Sequence, residues 1–325
     1  MARIAIIGPG AIGSLLAAWL TQTGRHTVIL CGRRPLSRLQ VESPTGAFTF
    51  SPHVVIDPER AAPVDFVLVT TKSYDAEATA RWFPTLVGPH TAVAILQNGV
   101  EHVARFASHL APAQILPVIV MIAAERPAQT RIVHRGPSRL AVPAGRAGEA
   151  FAALLAGTPV EMDVADDFTT VAWRKLAGNT PGILNALLLQ PTGAFADPPL
   201  AALARSLAAE CVAVGRAEGA KLGDDVPDAV VRGLCRIDPN SVNSMHADRI
   251  AGRPLELDAR NGVILRLGRR HGMPTPLNQM AVTLLAAMLR TDLCQGAEQP
   301  PPRHFSAGQE SLLETGALPP TKPTV

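Results

Sequence analysis

Lys175 and Asn179 are four residues apart in a segment with helical spacing, so both would lie on one face of a helix. A protonated amine on that face could polarise the oxygen of a ketone and donate its proton as the oxygen becomes an alkoxide. An exposed lysine on an amphipathic surface helix explains the same pattern equally well. Lys175 is therefore a candidate proton donor only if the fold turns this face towards a cleft.

Two more polar residues further along the chain could contact a small ligand. Ser244 is a small hydroxyl suited to hydrogen-bonding a carboxylate, and Glu256 could orient a substrate hydroxyl or a ribose. Because Glu256 stands close to two other charged residues, Asp258 and Arg260, a solvated helix position is the simpler interpretation for it.

A glycine-rich turn at the start of the chain predicts a dinucleotide site. The apolar residues 3–7 are typical of a buried parallel strand, and Gly8, Gly10 and Gly13 follow them as Gly-x-Gly-x-x-Gly. In a strand-to-helix turn these glycines permit the tight turn, the approach of backbone to a pyrophosphate and close helix packing. The phosphates would face the free N–H groups at the start of the helix. An ordinary glycine turn is the alternative.

The end of the second predicted strand indicates which dinucleotide would bind. NAD enzymes usually place an acid there against the ribose 2′-hydroxyl, but this chain continues Cys31-Gly32-Arg33-Arg34. A guanidinium can pair with a 2′-phosphate, so Arg33 favours NADP(H) over NAD(H). The alternative is a surface loop arginine.

Two polar residues follow later strands of the same predicted sheet. Lys72 and Asn98 stand at the carboxyl ends of two successive strands, and ligands of such sheets bind in the crevice outside those ends. Each residue alone could simply be solvated. Together they predict a polar floor under the nicotinamide ribose and the substrate.

Strands that alternate with helices predict an α/β fold with a doubly wound parallel sheet and right-handed crossovers. The predicted strands are 3–7, 27–31, 48–50, 54–56, 65–71, 92–96, 115–121 and 132–133, and the predicted helices are 14–20 and 75–82. The strand pattern ends near Asp167. We therefore predict a dinucleotide-binding domain over 1–167, an all-α substrate domain over 168–294 and a Pro-rich, unstructured tail over 295–325.

Composition excludes several classes of function. A net charge of +3 with one Tyr and three Trp does not favour nucleic acid, and the apolar run 115–124 is too short to span a bilayer. The Gly-Pro-Gly at 8–10 interrupts any secretory signal. The cysteines are scattered without a C-x-x-C pair or a His/Cys cluster: Cys31, Cys211, Cys235 and Cys294. We expect no metal site and a cytoplasmic protein, and a homodimer is compatible with the sequence.

Taken in order, these motifs resemble the ketopantoate reductase (2-dehydropantoate 2-reductase) family over almost all of residues 1–290. The matching pieces are Gly8-Pro9-Gly10-Ala11-Ile12-Gly13, Thr71-Lys72, Gln97-Asn98-Gly99, Trp173-Arg174-Lys175-Leu176 with Asn179, Ser244-Met245, and Glu256 with Asn261-Gly262. The resemblance implies reduction of ketopantoate to pantoate with NADPH in pantothenate biosynthesis. It also implies a Rossmann-type domain followed by a helical half similar to that of 6-phosphogluconate dehydrogenases.

The resemblance assigns a role to each matching position. It makes Lys175 the catalytic proton donor. It makes the substrate contacts Asn98, Asn179, Thr192 and Ser244. It makes the cofactor contacts Gly8, Pro9, Gly10, Ala11, Ile12, Gly13, Arg33, Lys72, Asn98, Ala124 and Glu256.

One position departs from the family pattern. The family usually has a second Asn eight residues after the lysine, where this chain has Ile183. Thr180-Pro181-Gly182 is expected to kink the helix here, and Asn185 could replace the missing amide only if the kink re-aims it. An unmet hydrogen bond of this kind is worth about 1–3 kcal/mol.

Two alternative functions follow. Ile183 motivates a reductase of the same fold that acts on a more apolar keto substrate. The third hypothesis is a non-catalytic NADPH-binding sensor whose Pro-rich tail binds a partner. The sensor is disfavoured because Lys175, Asn179 and Glu256 are all retained.

Overall fold

A computed structural model describes residues 1–44 and 46–295, with side chains to residue 290. The strands are β1 (Arg3–Ile7), β2 (Thr27–Cys31), β3 (Leu39–Ser43), β4 (Gly46–Phe50), β5 (His53–Val55), β6 (Val64–Val69), β7 (Val87–Ile95), β8 (Ile115–Pro117), β9 (Ile119–Ala128), β10 (Arg131–Pro143) and β11 (Val160–Ala165). The helices are α1 (Ala11–Gln22), α2 (Ala76–Ala80), α3 (Phe83–Leu86), α4 (His102–Phe106), α5 (Arg146–Leu154), α6 (Phe168–Asn179), α7 (Gly182–Leu188), α8 (Pro198–Ala217), α9 (Val226–Leu234), α10 (Ser244–Ile250), α11 (Val263–Arg270) and α12 (Pro276–Gln295).

The first sheet is parallel throughout, with the strand order β5-β2-β1-β6-β7-β8. Counted within the sheet alone, this is the 3-2-1-4-5-6 order of dinucleotide-binding folds. Successive residues of β1 alternate between two apolar layers, with Ile4 and Ile6 against the α1 side and Ala5 and Ile7 against the other. The predicted α/β fold with its doubly wound parallel sheet is confirmed.

A second sheet, which the sequence did not predict, packs on the α1 side of the first. Its order is β11-β10-β3-β4, and β9 pairs antiparallel with β10. The single strand expected over 115–121 is wrong, because the chain divides at Val118 into β8 of the first sheet and β9 of the second. Val118 is fully buried, and its N–H donates to Ile95 O at 3.0 Å, the last bond to the first sheet before the chain leaves it.

From the end of the second sheet to Gln295 the regular elements are helices. Asp167 caps α6, since its Oδ1 accepts from Thr170 N at 3.1 Å, and Trp173 of α6 packs on Gly215 of α8. A Cβ at Gly215 would lie 2.9 Å from the Trp173 ring, so a glycine is needed for this approach of the two helices. The last helix, α12, ends at Gln295. Beyond that residue, the Pro-rich tail predicted over 295–325 lies outside the described residues.

The expected break after α6 is confirmed. α6 ends at Asn179, Pro181 precedes the first residue of α7, and α7 begins at Gly182. Among the residues that the structure describes, no helix combines the length and apolar character needed to cross a membrane.

Candidate active site

The glycine turn has the geometry that a bound pyrophosphate requires. Gly8 has a φ of +100°, a backbone conformation that residues with a side chain rarely adopt. A Cβ at Gly13 would lie 2.3 Å from Gly8 O. Thr70, directly after β6, fixes the turn by donating from Oγ1 to Ile7 O at 3.0 Å and to Gly8 O at 2.7 Å. No atom of the described residues lies within 4 Å of the position where Gly10 would carry a Cβ. The space in front of Gly10 is therefore open, as the approach of a phosphate demands.

Charge at the turn also suits an anion. α1 carries no acidic residue in its first turn, and Gly10 caps it without a side-chain hydrogen bond, so its first N–H groups are free for a phosphate. Arg126 of β9 reaches the turn and donates to Pro9 O and Gln129 O. Because β-strand side chains alternate, Ala124 faces the same side and packs into the core around α1. Sequence analysis missed Arg126.

Arg33 is exposed beside the glycine turn. It stands two residues beyond β2, and the preceding Gly32 packs on Pro9 so closely that a Cβ would lie 2.7 Å from Pro9 Cγ. Arg33 makes no hydrogen bond or ion pair with any residue of the described chain. Its guanidinium is thus available to a charged group bound next to the turn.

Glu256 connects the parallel sheet to the helical half. Only 6 % of it is exposed, and its carboxylate accepts from Ser73 N at 3.0 Å, from Asn98 Nδ2 at 2.8 Å and from Lys72 Nζ at 3.4 Å. The solvated position suggested for Glu256 by its charged neighbours is therefore wrong. Because these contacts come from two strand ends of the sheet, the structure brings Lys72, Asn98 and Glu256 into one cluster.

Lys72 is the cation of this cluster. Its Nζ also donates to Asp248 Oδ2 at 2.7 Å, and Asp248 accepts in turn from Arg253 Nε at 2.8 Å. Burial of Lys72 favours its neutral form, but Glu256 and Asp248 outweigh that effect and raise its pKa. Lys72 therefore stays charged at neutral pH and is suited to holding a ligand rather than transferring a proton.

Lys175 differs from Lys72 in its surroundings. It is half-buried on α6 and forms no hydrogen bond or ion pair with a described residue. Burial, with a smaller contribution from the positive charge of Arg260, lowers the pKa of Lys175 to about 8. Lys175, Asn98 and Asn179 line one narrow cavity between the parallel sheet and α6. The helix face predicted from the sequence is therefore turned towards a cleft.

Lys175 and Asn179 also line a larger cleft of about 1160 Å³. Alternate residues of β9 contribute to one wall, including Ala123 and Glu125. Thr192, 6 % exposed, also lines the cleft, but its Oγ1 already donates to Ser241 O at 2.9 Å. The same Oγ1 accepts from Ser241 Oγ at 3.1 Å, so one lone pair is left to accept a hydrogen bond from a ligand.

The break between α6 and α7 changes which side chain reaches this cleft. Ile183 is completely buried and is not part of the cleft wall, whereas Asn185 is. The amide of Asn185 is used internally: Nδ2 donates to Gln190 O at 3.0 Å, and Oδ1 accepts from Asn243 Nδ2 at 2.9 Å. Asn185 is re-aimed by the break, but it supports the wall instead of offering a free amide.

Ser244 lies at the first residue of α10 and is exposed. Its hydroxyl accepts from Arg260 Nη1 at 3.4 Å. Arg260 is only 3 % exposed and lines the same cleft as Lys175, although its sequence context suggested a solvated charge. Arg260 is the second residue that sequence analysis missed. The available signal was its position four residues after Glu256, on the same helix face.

Comparison with known proteins gives a consistent result. A family model described as "Ketopantoate reductase PanE/ApbA" matches residues 4–147, and its C-terminal counterpart matches residues 167–289. A 2-dehydropantoate 2-reductase of Caulobacter vibrioides is 56% identical over 287 residues, 88% of this chain and 99% of that protein. One of Mycobacterium tuberculosis is 43% identical over 291 residues, 87% of this chain and 97% of that protein.

The fold is also similar to that of a solved 2-dehydropantoate 2-reductase. A crystal structure of 2-dehydropantoate 2-reductase from Geobacter metallireducens superposes with a TM-score of 0.83 at 29% identity, covering 88% of this chain and 99% of that one.

Proposed function

Because the chain belongs to the ketopantoate reductase PanE/ApbA family, we propose that it reduces the 2-keto acid 2-dehydropantoate to pantoate with NADPH. One observation carries the proposal. Lys175, an amine with a lowered pKa and no partner among the described residues, lines a cavity with Asn98 from the strand ends and with Asn179. That arrangement is suited to donating a proton to a ketone held above the sheet.

The residues around the glycine turn fit NADP(H). The open space at Gly10 and the free N–H groups of α1 would take the pyrophosphate, with Ala124 packed nearby, and Arg33 would take the 2′-phosphate. Lys72, Asn98 and Glu256 would lie below the nicotinamide ribose. When bound, the cofactor supplies the hydride.

The chain's own residues then handle the proton and the substrate. Lys175 donates from Nζ to the substrate oxygen, and the burial that lowers its pKa makes that proton easier to give up. Asn98 and Asn179 would hold the substrate beside the amine, Ser244 would contact its carboxylate, and Thr192 would accept from a substrate hydroxyl. The ammonium also stabilises the developing alkoxide electrostatically.

The alternative of a more apolar keto substrate depended on the replacement of an amide by Ile183. Ile183 is buried and does not make the cleft wall more apolar, and the relatives at 56% and 43% identity are 2-dehydropantoate 2-reductases. We therefore retain 2-dehydropantoate as the proposed substrate. The test is NADPH oxidation by the purified chain with 2-dehydropantoate and with a panel of other 2-keto acids. The proposal expects the highest kcat/KM for 2-dehydropantoate and pantoate as the product. If 2-dehydropantoate is reduced only weakly while another acid of the panel is reduced faster, the result favours the more apolar substrate. Tight NADPH binding without oxidation by any keto acid favours the sensor.

A cytoplasmic location and a homodimer stay predictions. The free thiols of Cys31 and Cys211 are buried, and that of Cys235 is exposed, which suits a reducing compartment. Light scattering of the purified chain would give the oligomeric state.

A further inference from the structure

Arg260 is a buried cation without a carboxylate partner among the described residues. It lies in a π-helical turn, Asp258–Gly262, and is 3 % exposed. Its guanidinium donates from Nη2 to Asn179 O at 2.6 Å and from Nη1 to Ser244 Oγ at 3.4 Å, while Nε has no partner. Two of its five N–H donors are thus used on neutral acceptors, and no described acid forms an ion pair with it.

Such an arrangement is unfavourable without a bound anion. Removing a guanidinium from water is costly unless a counter-ion compensates, and burial lowers the pKa of Arg260 to about 10 although Glu256 and Asp248 oppose that effect. Both of these acids are already committed, Glu256 to Lys72 and Asn98 and Asp248 to Lys72. The acids that the structure describes therefore leave Arg260 without a direct partner.

Arg260, although only 3 % exposed, forms part of the wall of the cleft. A Cβ at Gly182 would lie 2.9 Å from Arg260 Nη2, so the glycine at the start of α7 makes room for the side chain. Arg260, Lys175 and Asn179 then line the same cleft. In a 2-keto acid the carboxylate is bonded directly to the ketone carbon. One small molecule could therefore place its carboxylate at Arg260 and its ketone oxygen at Lys175.

We propose that Arg260 binds the carboxylate of the substrate, with Ser244 held beside it, and so makes the enzyme specific for 2-keto acids over neutral ketones. The inference rests on the proposed function for its choice of substrate. It adds a charged recognition group that neither the motifs nor the family resemblance assigned. Arginine suits this role because its planar donors match the two oxygens of a carboxylate.

The experiment compares the wild type with Arg260→Gln, Arg260→Lys and the control Arg269→Gln, which replaces an exposed arginine of the following helix. Each protein is assayed with 2-dehydropantoate and with its neutral lactone, a ketone without a carboxylate. NADPH binding is measured separately by fluorescence. For Arg260→Gln we expect KM for the acid to rise about 10- to 150-fold, as loss of a charged hydrogen bond predicts, with a smaller change in kcat.

Further readouts separate recognition from structural support. The lactone should be a poor substrate of the wild type, and its kcat/KM should not fall in Arg260→Gln. NADPH affinity should match that of Arg269→Gln, and Arg260→Lys should recover part of the acid preference. The alkaline limb of kcat/KM should move to higher pH in Arg260→Gln, because the charge of Arg260 contributes to the lowered pKa of Lys175.

The inference fails if Arg260→Gln keeps its KM for the acid, or if the wild type reduces lactone and acid equally well. The second comparison needs no variant, so it can overturn the inference even if Arg260→Gln does not fold; the reduced acid preference of Arg260→Lys then supplies the positive test. If 2-dehydropantoate is not the substrate but another 2-keto acid is, the same comparison on that acid and its neutral ester decides. If no keto acid is reduced, titration of pantoate into the protein with NADP⁺ decides, with loss of binding in Arg260→Gln as the expected result.

Discussion

Replacing Gly13 or Gly10 of the glycine turn with alanine should separate folding from cofactor binding. A Cβ at Gly13 would lie 2.3 Å from both Gly8 O and Thr70 Oγ1. The backbone oxygen cannot move without disturbing β1, so we expect Gly13→Ala to destabilise the free protein by about 1–3 kcal/mol. The corresponding Cβ at Gly10 meets no atom within 4 Å, and its φ of −77° is allowed for alanine. Gly10→Ala should change stability by less than about 0.5 kcal/mol.

The magnitudes can be measured by thermal unfolding without cofactor. For a chain of 325 residues 1 kcal/mol corresponds to a shift in Tm of about 1.5 °C, so Gly13→Ala should lower Tm by about 1.5–5 °C. Gly10→Ala should melt within about 1 °C of the wild type.

NADPH affinity should be affected in the opposite order. A methyl group at Gly10 would fill the space that the pyrophosphate needs, and an overpacking of about 1–3 kcal/mol raises Kd by about 5- to 150-fold. Fluorescence titration with NADPH measures this directly. The reasoning is refuted if Gly10→Ala binds NADPH as the wild type does, or if Gly13→Ala leaves Tm unchanged.

Two other predictions concern pH and cofactor choice. Protonated Lys175 is the proposed proton donor, and its pKa is about 8. The kcat/KM for reduction should therefore be constant below pH 8 and fall above it, while kcat/KM for the reverse oxidation should rise through the same range. A reduction rate that increases through this range contradicts the assignment. Arg33→Asp should raise KM for NADPH by about 10- to 150-fold more than KM for NADH, since only NADPH carries the 2′-phosphate, and equal effects on both cofactors would remove this role.

Local sequence patterns predicted the parallel sheet and the glycine turn because strand, turn and helix are contiguous there. They did not predict the second sheet, whose pairing depends on contacts between distant residues. Arg131 of β10, for example, pairs in register with Gln40 of β3. A short run such as 39–43 has no strong strand signal of its own and becomes a strand only when β10 is beside it.

Some features of the site could likewise be predicted from local sequence, and others could not. The helix break at Pro181 could be predicted because proline removes a backbone donor at a known position. The burial of Glu256 and Arg260 could not, since a local run of charges is compatible with a solvated helix as well as with a buried network. Only the packing of the helical half against the strand ends decides between them.

The most direct test of Lys175 as the proton donor is the rate of NADPH oxidation in a single turnover. Lys175→Met is compared with the wild type, with 2-dehydropantoate as substrate. We predict a rate about 10²- to 10⁴-fold lower than wild type, the usual contribution of a general acid, with unchanged NADPH affinity. A variant that binds NADPH normally and oxidises it at the wild-type rate would contradict the claim that this amine delivers the proton.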